Sequence, residues 1–284
     1  SIETFVEEIS GLKKSLPVDL IYMLYSVYKD KTTENNRDTF DQFLGWSKMI
    51  LSDFNQMDAY LVDQKTFFDF QFSLEELQQW AKKDDINPMI KNQLEFWRQM
   101  PELYSGLKES LSLNNQGTSG MLFREAVNNL EHYLQNNTNH HYFVGFNALN
   151  KAEELIIQEF LTVKQGNVIW DIDRFFYEDK VHSAGKFIRK YYREWKTLRG
   201  SKVSLNDNFS QPKVIEIIGV SKNITQAKYA GQLATELSEK FPDEKTAVVL
   251  GNEALLIPTL SAISESSFNW NVTMGLPIAE TSVS

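Results

Sequence analysis

The chain has 284 residues, a net charge of −9 and no cysteine. That length admits two domains and a large core. The composition excludes disulfides, thiolate metal sites and a cysteine nucleophile, and a chain this acidic can reach nucleic acid only through a local basic patch.

No apolar run approaches the roughly 18 residues of a membrane span, and the N-terminus has no basic-then-apolar signal. A cysteine-free, signal-free chain reads as cytoplasmic, with no membrane partner. The four Asn-x-Ser/Thr matches, at Asn136, Asn208, Asn223 and Asn271, are what an Asn-rich chain contains by chance. The start at Ser1 and the end in Thr281-Ser282-Val283-Ser284 suggest a fragment of a longer protein.

In chain order, residues 1–30 read as two short helices, with Pro17 in the first turn of the second. Phe40, Phe43, Leu44, Ile50, Leu51, Phe54, Met57 and Leu61 follow a helical period, long enough to break near Asp53–Gln56. Ser73 with Glu76 forms a capping-box pattern for another helix, ending near Lys82–Asp85. Pro88 opens the next, whose stripe runs from Ile90 through Trp97, Tyr104 and Leu111; Pro101 should kink or split it. Asn114–Gly120 is a turn, Met121–Leu134 is helical, and the Asn-rich tract Asn136–His140 ends the helical part.

His141–Asp173 changes character. Tyr142–Phe146 is a short apolar strand. Asn150 with Glu153 caps a helix whose apolar face is Ala152, Leu155, Ile156 and Phe160, and Gln165–Asn167 turns into a second strand, Val168–Trp170. That order predicts a βαβ unit with parallel strands, and ligands of such units sit beyond the strands' carboxyl ends. Here those ends carry Gly145-Phe146 and Asp171-Ile172-Asp173. His182–Trp195 is a helix with a basic face, and Leu198–Pro212 is the clearest linker. Beyond it Val214–Ile218, a helix through Ala227–Leu237, Thr246–Leu250, the mostly helical Glu253–Ile263, and Asn269–Thr273 read as β-α-β-α-β. The fold class is α/β: a helical region at 1–140, an α/β unit at 141–200 and a second at 201–284.

Few motifs carry chemistry. Gly185-Lys186 is the one Gly-Lys pair, but Phe187 follows it inside a helix, so it is no phosphate loop. Gly117-Thr118-Ser119-Gly120 reads as a turn rather than a nucleophile elbow, and His140-His141 lacks a ligand at i+4 spacing. Asp171 and Asp173 are the best carboxylate pair, read as magnesium ligands or, more simply, as turn and cap residues. Lys186, Arg189, Lys190 and Arg193, with Arg199 beyond, form a basic stripe interleaved with Phe187, Tyr191, Tyr192 and Trp195. Single-strand binders combine such cations with stacking rings; the simpler reading is a solvated helix face whose rings are core.

Several long strings occur together: FDQFLGWSKMILSDFNQMDAYLVDQKTFF (40–68), GMLFREAVNNL (120–130), FVGFNALNKAEE (143–154), VIWDIDRFFY (168–177), SAGKFIR (183–189), QAKYAG (226–231), TAVVLGNEALLIPTLSAI (246–263) and NVTMGLPIAETSV (271–283). Together they resemble the helicase-like part of bacterial AddB-type exonuclease subunits, a PD-(D/E)XK nuclease family common in Bacteroidetes. The resemblance spans nearly the whole chain. It implies two partial RecA-like, P-loop NTPase-type units on a UvrD-like scaffold, in a complex that unwinds and resects DNA ends. It also implies a degenerate motor. An active relative carries Asp-Glu where this chain has Gly145-Phe146, and the glutamine expected soon after Asp171 or Asp173 is replaced by Phe175-Phe176. The phosphate loop would precede Ser1, and the nuclease carboxylates would follow Ser284.

The expectation is therefore a non-catalytic scaffold with no cofactor of its own. It would bind DNA, single-stranded or at a duplex end, and a partner helicase subunit, with Lys186, Arg189, Lys190 and Arg193 as candidate nucleic-acid contacts. Two alternatives remain: part of an active ATP-driven helicase, or an unrelated α/β enzyme using Asp171 and Asp173 as metal ligands.

Overall fold

A computed structural model describes residues 1–34, 37–70, 73, 88–263 and 269–275, with side chains from residue 96 onward in the helix that starts at Pro88. The chain divides into two compact units, Ser1–Gln211 and Pro212–Ser284. The first contains α1 (Ile2–Ser10), β1 (Lys13–Lys14), α2 (Pro17–Lys31), α3 (Phe40–Ala59), helical residues 64–70, α4 (Pro88–Ser112), β2 (Gln116–Gly117) and α5 (Ser119–Asn136). It continues with β3 (His141–Val144), α6 (Lys151–Thr162), β4 (Gly166–Ile169), α7 (Arg174–Glu178) and α8 (Lys186–Glu194). The class is α/β, predominantly helical, with two small sheets: β1 pairs with β2 and β3 with β4, both parallel.

Local chemistry sets the helix starts. Thr39 accepts from the Gln42 amide while the Gln42 side chain accepts from the Thr39 amide, a complete capping box opening α3. Asn150 and Glu153 do the same for α6, as their spacing predicts. Pro17 occupies the first turn of α2. Thr118 caps α5 by accepting from the Met121 amide, so the turn expected over Asn114–Gly120 is confined to its start: Gly117 ends β2, Thr118 is the cap and Ser119-Gly120 open α5.

Helix α5 is the wall between two cores. Met121 packs with Leu24, Phe43, Ile50, Leu103 and Leu111 of α2, α3 and α4. Leu122, one residue on, packs with Ile156, Phe160, Trp170 and Tyr191 around the β3–β4 pair. Fully burying side chains such as Phe43 or Phe160 stabilises by about 1.5–3 kcal/mol each. Gly120 lets α5 approach α3: a Cβ there would run into the Asn55 carbonyl, and the Asn55 side chain accepts the Gly120 N–H at 2.6 Å. The helical region and the βαβ unit thus share a core through α5.

Strands β3 and β4 run in register, His141 beside Gly166 through Val144 beside Ile169, with α6 as the crossover. The strands begin one to two residues earlier than the apolar runs suggest. The outward residues Tyr142, Val144 and Ile169 are exposed, whereas Phe143 is buried. Two expected helix breaks are not formed. Helix α3 runs unbroken across Asp53–Gln56, because Phe54 and Met57 continue the buried stripe with neither glycine nor proline there. Helix α4 continues through Pro101; the missing N–H costs one bond of the ladder, but Met100, Leu103 and Tyr104 hold both sides in the core. The pattern at Ser73–Glu76 and the helix end near Lys82–Asp85 lie outside the described residues.

In the second unit α9 (Asn223–Lys240) packs against α10 (Leu256–Leu260) and the 3-10 turn Glu253–Leu255. Ala227, Gly231 and Ala234 form the buried face of α9; of the apolar positions expected to line this helix, Ala227 and Ala234 are buried, whereas Leu233 is 36% exposed. The expected strands at Val214–Ile218, Thr246–Leu250 and Asn269–Thr273 are not formed; none of these residues is in a strand. A strand exists only with a neighbour to complete its ladder. These runs have none among the described residues, and Val214, Ile217 and Val249 are at least 90% exposed.

Candidate functional site

The carboxyl ends of β3 and β4 lead into one assembly of α7, α8 and the polar stretch after α8. Gly145 closes β3 in a left-handed conformation (φ 77°), and its N–H donates to the Ile169 carbonyl at 3.3 Å, extending the ladder by one bond. After β4 come buried Trp170, exposed Asp171, then buried Ile172 and Asp173. The ring of Trp170 stacks on Tyr191 of α8 at 5.3 Å, and Trp195 packs on Tyr191 at 4.7 Å. The Tyr191 hydroxyl accepts from the Leu149 amide at 3.0 Å, fixing α8 to the start of α6.

Asp173 uses both carboxylate oxygens structurally. One accepts from the Phe175 amide at 2.9 Å and caps α7; the other accepts from the Phe209 amide at 2.8 Å. Asp171 accepts from the Asn206 side-chain amide at 3.0 Å. Backbone bonds run beside them, Arg174 N–H to the Asn206 carbonyl and Asn206 N–H to the Ile172 carbonyl. The carboxylate pair thus fastens residues 206–209 to the end of β4, in keeping with the simpler reading of Asp171 and Asp173 as turn and cap residues. These residues lie within the first compact unit, which runs to Gln211. Among the described residues no three His, Cys, Asp or Glu side chains gather as metal ligands do.

The four basic candidates lie on or beside α8 but have separate fates. Arg189 is a backbone clamp: its guanidinium donates to the carbonyls of Phe176, Tyr177, Asp179, Lys180 and His182, at 2.8–3.5 Å. Lys190 pairs with Glu154 of α6 at 2.9 Å, and that hydrogen bond raises the lysine pKa. Lys186 is exposed, its ammonium 5.9 Å from the Phe187 ring centre. Among the described residues Arg193 pairs with its neighbour Glu194, and its side chain is 73% exposed. Arg199 donates to the Arg193 carbonyl. Of the stripe, Lys186 and Arg193 present charge to solvent. Of the interleaved rings, Tyr191 and Trp195 are core; Phe187 and Tyr192 are partly exposed.

Sequence reasoning missed a ring cluster on this surface. Phe209 lies 4.8 Å from Phe175 and 4.6 Å from Phe176, and His182 lies 4.7 Å from Phe176. Phe175 and Phe209 remain 47% and 43% exposed. Phe209 stands in a polar stretch 34 residues beyond Phe175, so no local period links them. The two histidines of His140-His141 are separated in role: His140 lies against Tyr142, while His141 packs on Phe160 at 4.8 Å.

No protein-family model matches the chain, and no curated protein matches it.

Proposed function

We propose that this chain is a non-hydrolytic, helicase-like scaffold of RecA-like type, part of a DNA double-strand-break repair helicase–nuclease, and that it binds DNA and a partner helicase subunit. The reading starts from the sequence resemblance. One observation supports it most directly: the strand-end carboxylate Asp173 is committed on both oxygens to backbone amides. In a working phosphoryl-transfer site the strand-end acids organise magnesium and the attacking water. Here Gly145-Phe146 supplies no acid at β3, and the acid after β4 maintains the shape of the surface.

That surface offers what a strand of nucleic acid needs. Lys186 and Arg193 of α8 supply cations, and Phe175 of α7 with Phe209 supplies partly exposed rings. The cations act through phosphates, so the binding is insensitive to sequence. Fluorescence anisotropy of a labelled single-stranded oligonucleotide, titrated at two salt concentrations, tests this. Binding that weakens steeply with salt supports the reading; no binding at low salt removes it.

A further inference from the structure

We propose that the trough between α5 and α6 is a docking site for a cationic amphipathic helix of a protein partner. The trough has a volume of about 640 Å3. Leu130 and Leu134 of α5, 4% and 8% exposed, lie at its base, with Val127 and Leu155 on the flanks and Val163, 45% exposed, beyond the end of α6. Glu131 on α5 and Glu159 on α6 form opposite acidic shoulders. Neither takes part in an ion pair among the described residues; Glu131 accepts only the Gln135 side-chain amide, at 3.3 Å. An apolar floor between two uncompensated carboxylates is complementary to an apolar stripe flanked by lysine or arginine.

The dimensions and chemistry select a helix. From Val127 to Leu134 the α5 wall runs two turns, about 11 Å, which matches anchors at i, i+3 or i+4, and i+7. Both walls are helices whose backbone groups are already paired internally, so a docking strand would find no ladder. A helix brings its own hydrogen bonds. Nucleic acid and anionic lipid would be repelled by the shoulders. Gln165 closes one end: its amide donates to the Leu134 and Asn137 carbonyls at 3.2 and 3.4 Å and accepts from the Asn137 side chain at 3.0 Å. The trough is thus preformed. This inference does not depend on the helicase reading.

The test uses two fluorescein-labelled, 18-residue synthetic helices with the same leucine stripe, one flanked by lysines and one by glutamates. The intact chain should bind the lysine helix at least tenfold more tightly. Glu131→Lys with Glu159→Lys should reverse that preference, and Leu155→Asp should weaken the lysine helix about tenfold. Glu109→Lys with Glu239→Lys makes the same change in net charge at exposed positions elsewhere and should leave the preference as it was. Far-UV circular dichroism and thermal midpoints establish that each variant folds. The proposal is overturned if the lysine helix does not bind, if reversing the shoulders leaves the preference unchanged, or if the remote pair alters it equally.

Discussion

Arg124 of α5 donates from Nε to Asp58 near the end of α3 at 2.6 Å, and the Asp58 side chain is 1% exposed. The same carboxylate oxygen accepts the Tyr104 hydroxyl at 2.6 Å, so three helices meet on one atom. The second arm of Arg124 donates to the Met57 and Val62 carbonyls, satisfying the chain as it leaves α3. Burial, then the adjacent Asp58, pushes the Tyr104 hydroxyl far above its ordinary pKa. Asp58→Ala removes the carboxylate paired with Arg124, leaving the Arg124 Nε–H and the Tyr104 hydroxyl without this acceptor, and should destabilise by about 3–5 kcal/mol in urea denaturation. Glu3→Ala, which breaks an exposed pair with Lys14, should cost under about 1 kcal/mol. Equal losses would remove the anchoring role of Asp58.

Arg189 serves as a clamp on the chain after α7. Arg189→Lys keeps the charge but loses the planar fork that reaches five carbonyls. It should destabilise by about 1–3 kcal/mol and speed proteolysis between residues 179 and 182. A DNA contact would instead show as weakened oligonucleotide binding with proteolysis unchanged.

Asp173→Asn keeps one good acceptor where two are used, so either the α7 cap or the Phe209 bond is lost. A loss of about 1–2 kcal/mol is expected, with faster hydrogen exchange at the Phe175 or Phe209 amide. Unchanged exchange at both amides would contradict the fastener role.

Glu153 gives a pH signature. Burial raises its pKa above the ordinary 4.5, partly offset by the hydrogen bond from the Asn150 amide. A carboxyl with a raised folded-state pKa contributes stability that is complete below the unfolded value and is lost as pH rises through the folded value. Glu153→Gln preserves the capping-box acceptor and removes the ionisation. The stability of the variant relative to the parent should therefore increase from pH 4 to pH 8. A relative stability that falls over that interval would contradict the burial argument.

Sequence-local features were the legible ones. The Asn150–Glu153 cap and the Pro17 start both depend on neighbours within one turn. Long-range features were not legible. Nothing in the spacing links Asp173 to Phe209, or Asp58 to Arg124, 66 residues apart. The basic stripe shows the limit within a single helix. Its period is visible, but the commitment of Arg189 to carbonyls and of Lys190 to Glu154 depends on chain that comes from elsewhere. The runs at 214–218 and 246–250 have strand composition, yet pairing needs a neighbour that composition does not supply.

The central claim is that the acidic chain holds a phosphate-binding surface on α8. The most direct test is the salt dependence of single-stranded oligonucleotide binding, compared between the parent chain and Lys186→Ala with Arg193→Ala. The account predicts weaker binding of all sequences and a log–log salt slope reduced by about one to two units. An identical slope in the double variant, or no binding by the parent at low salt, would contradict it.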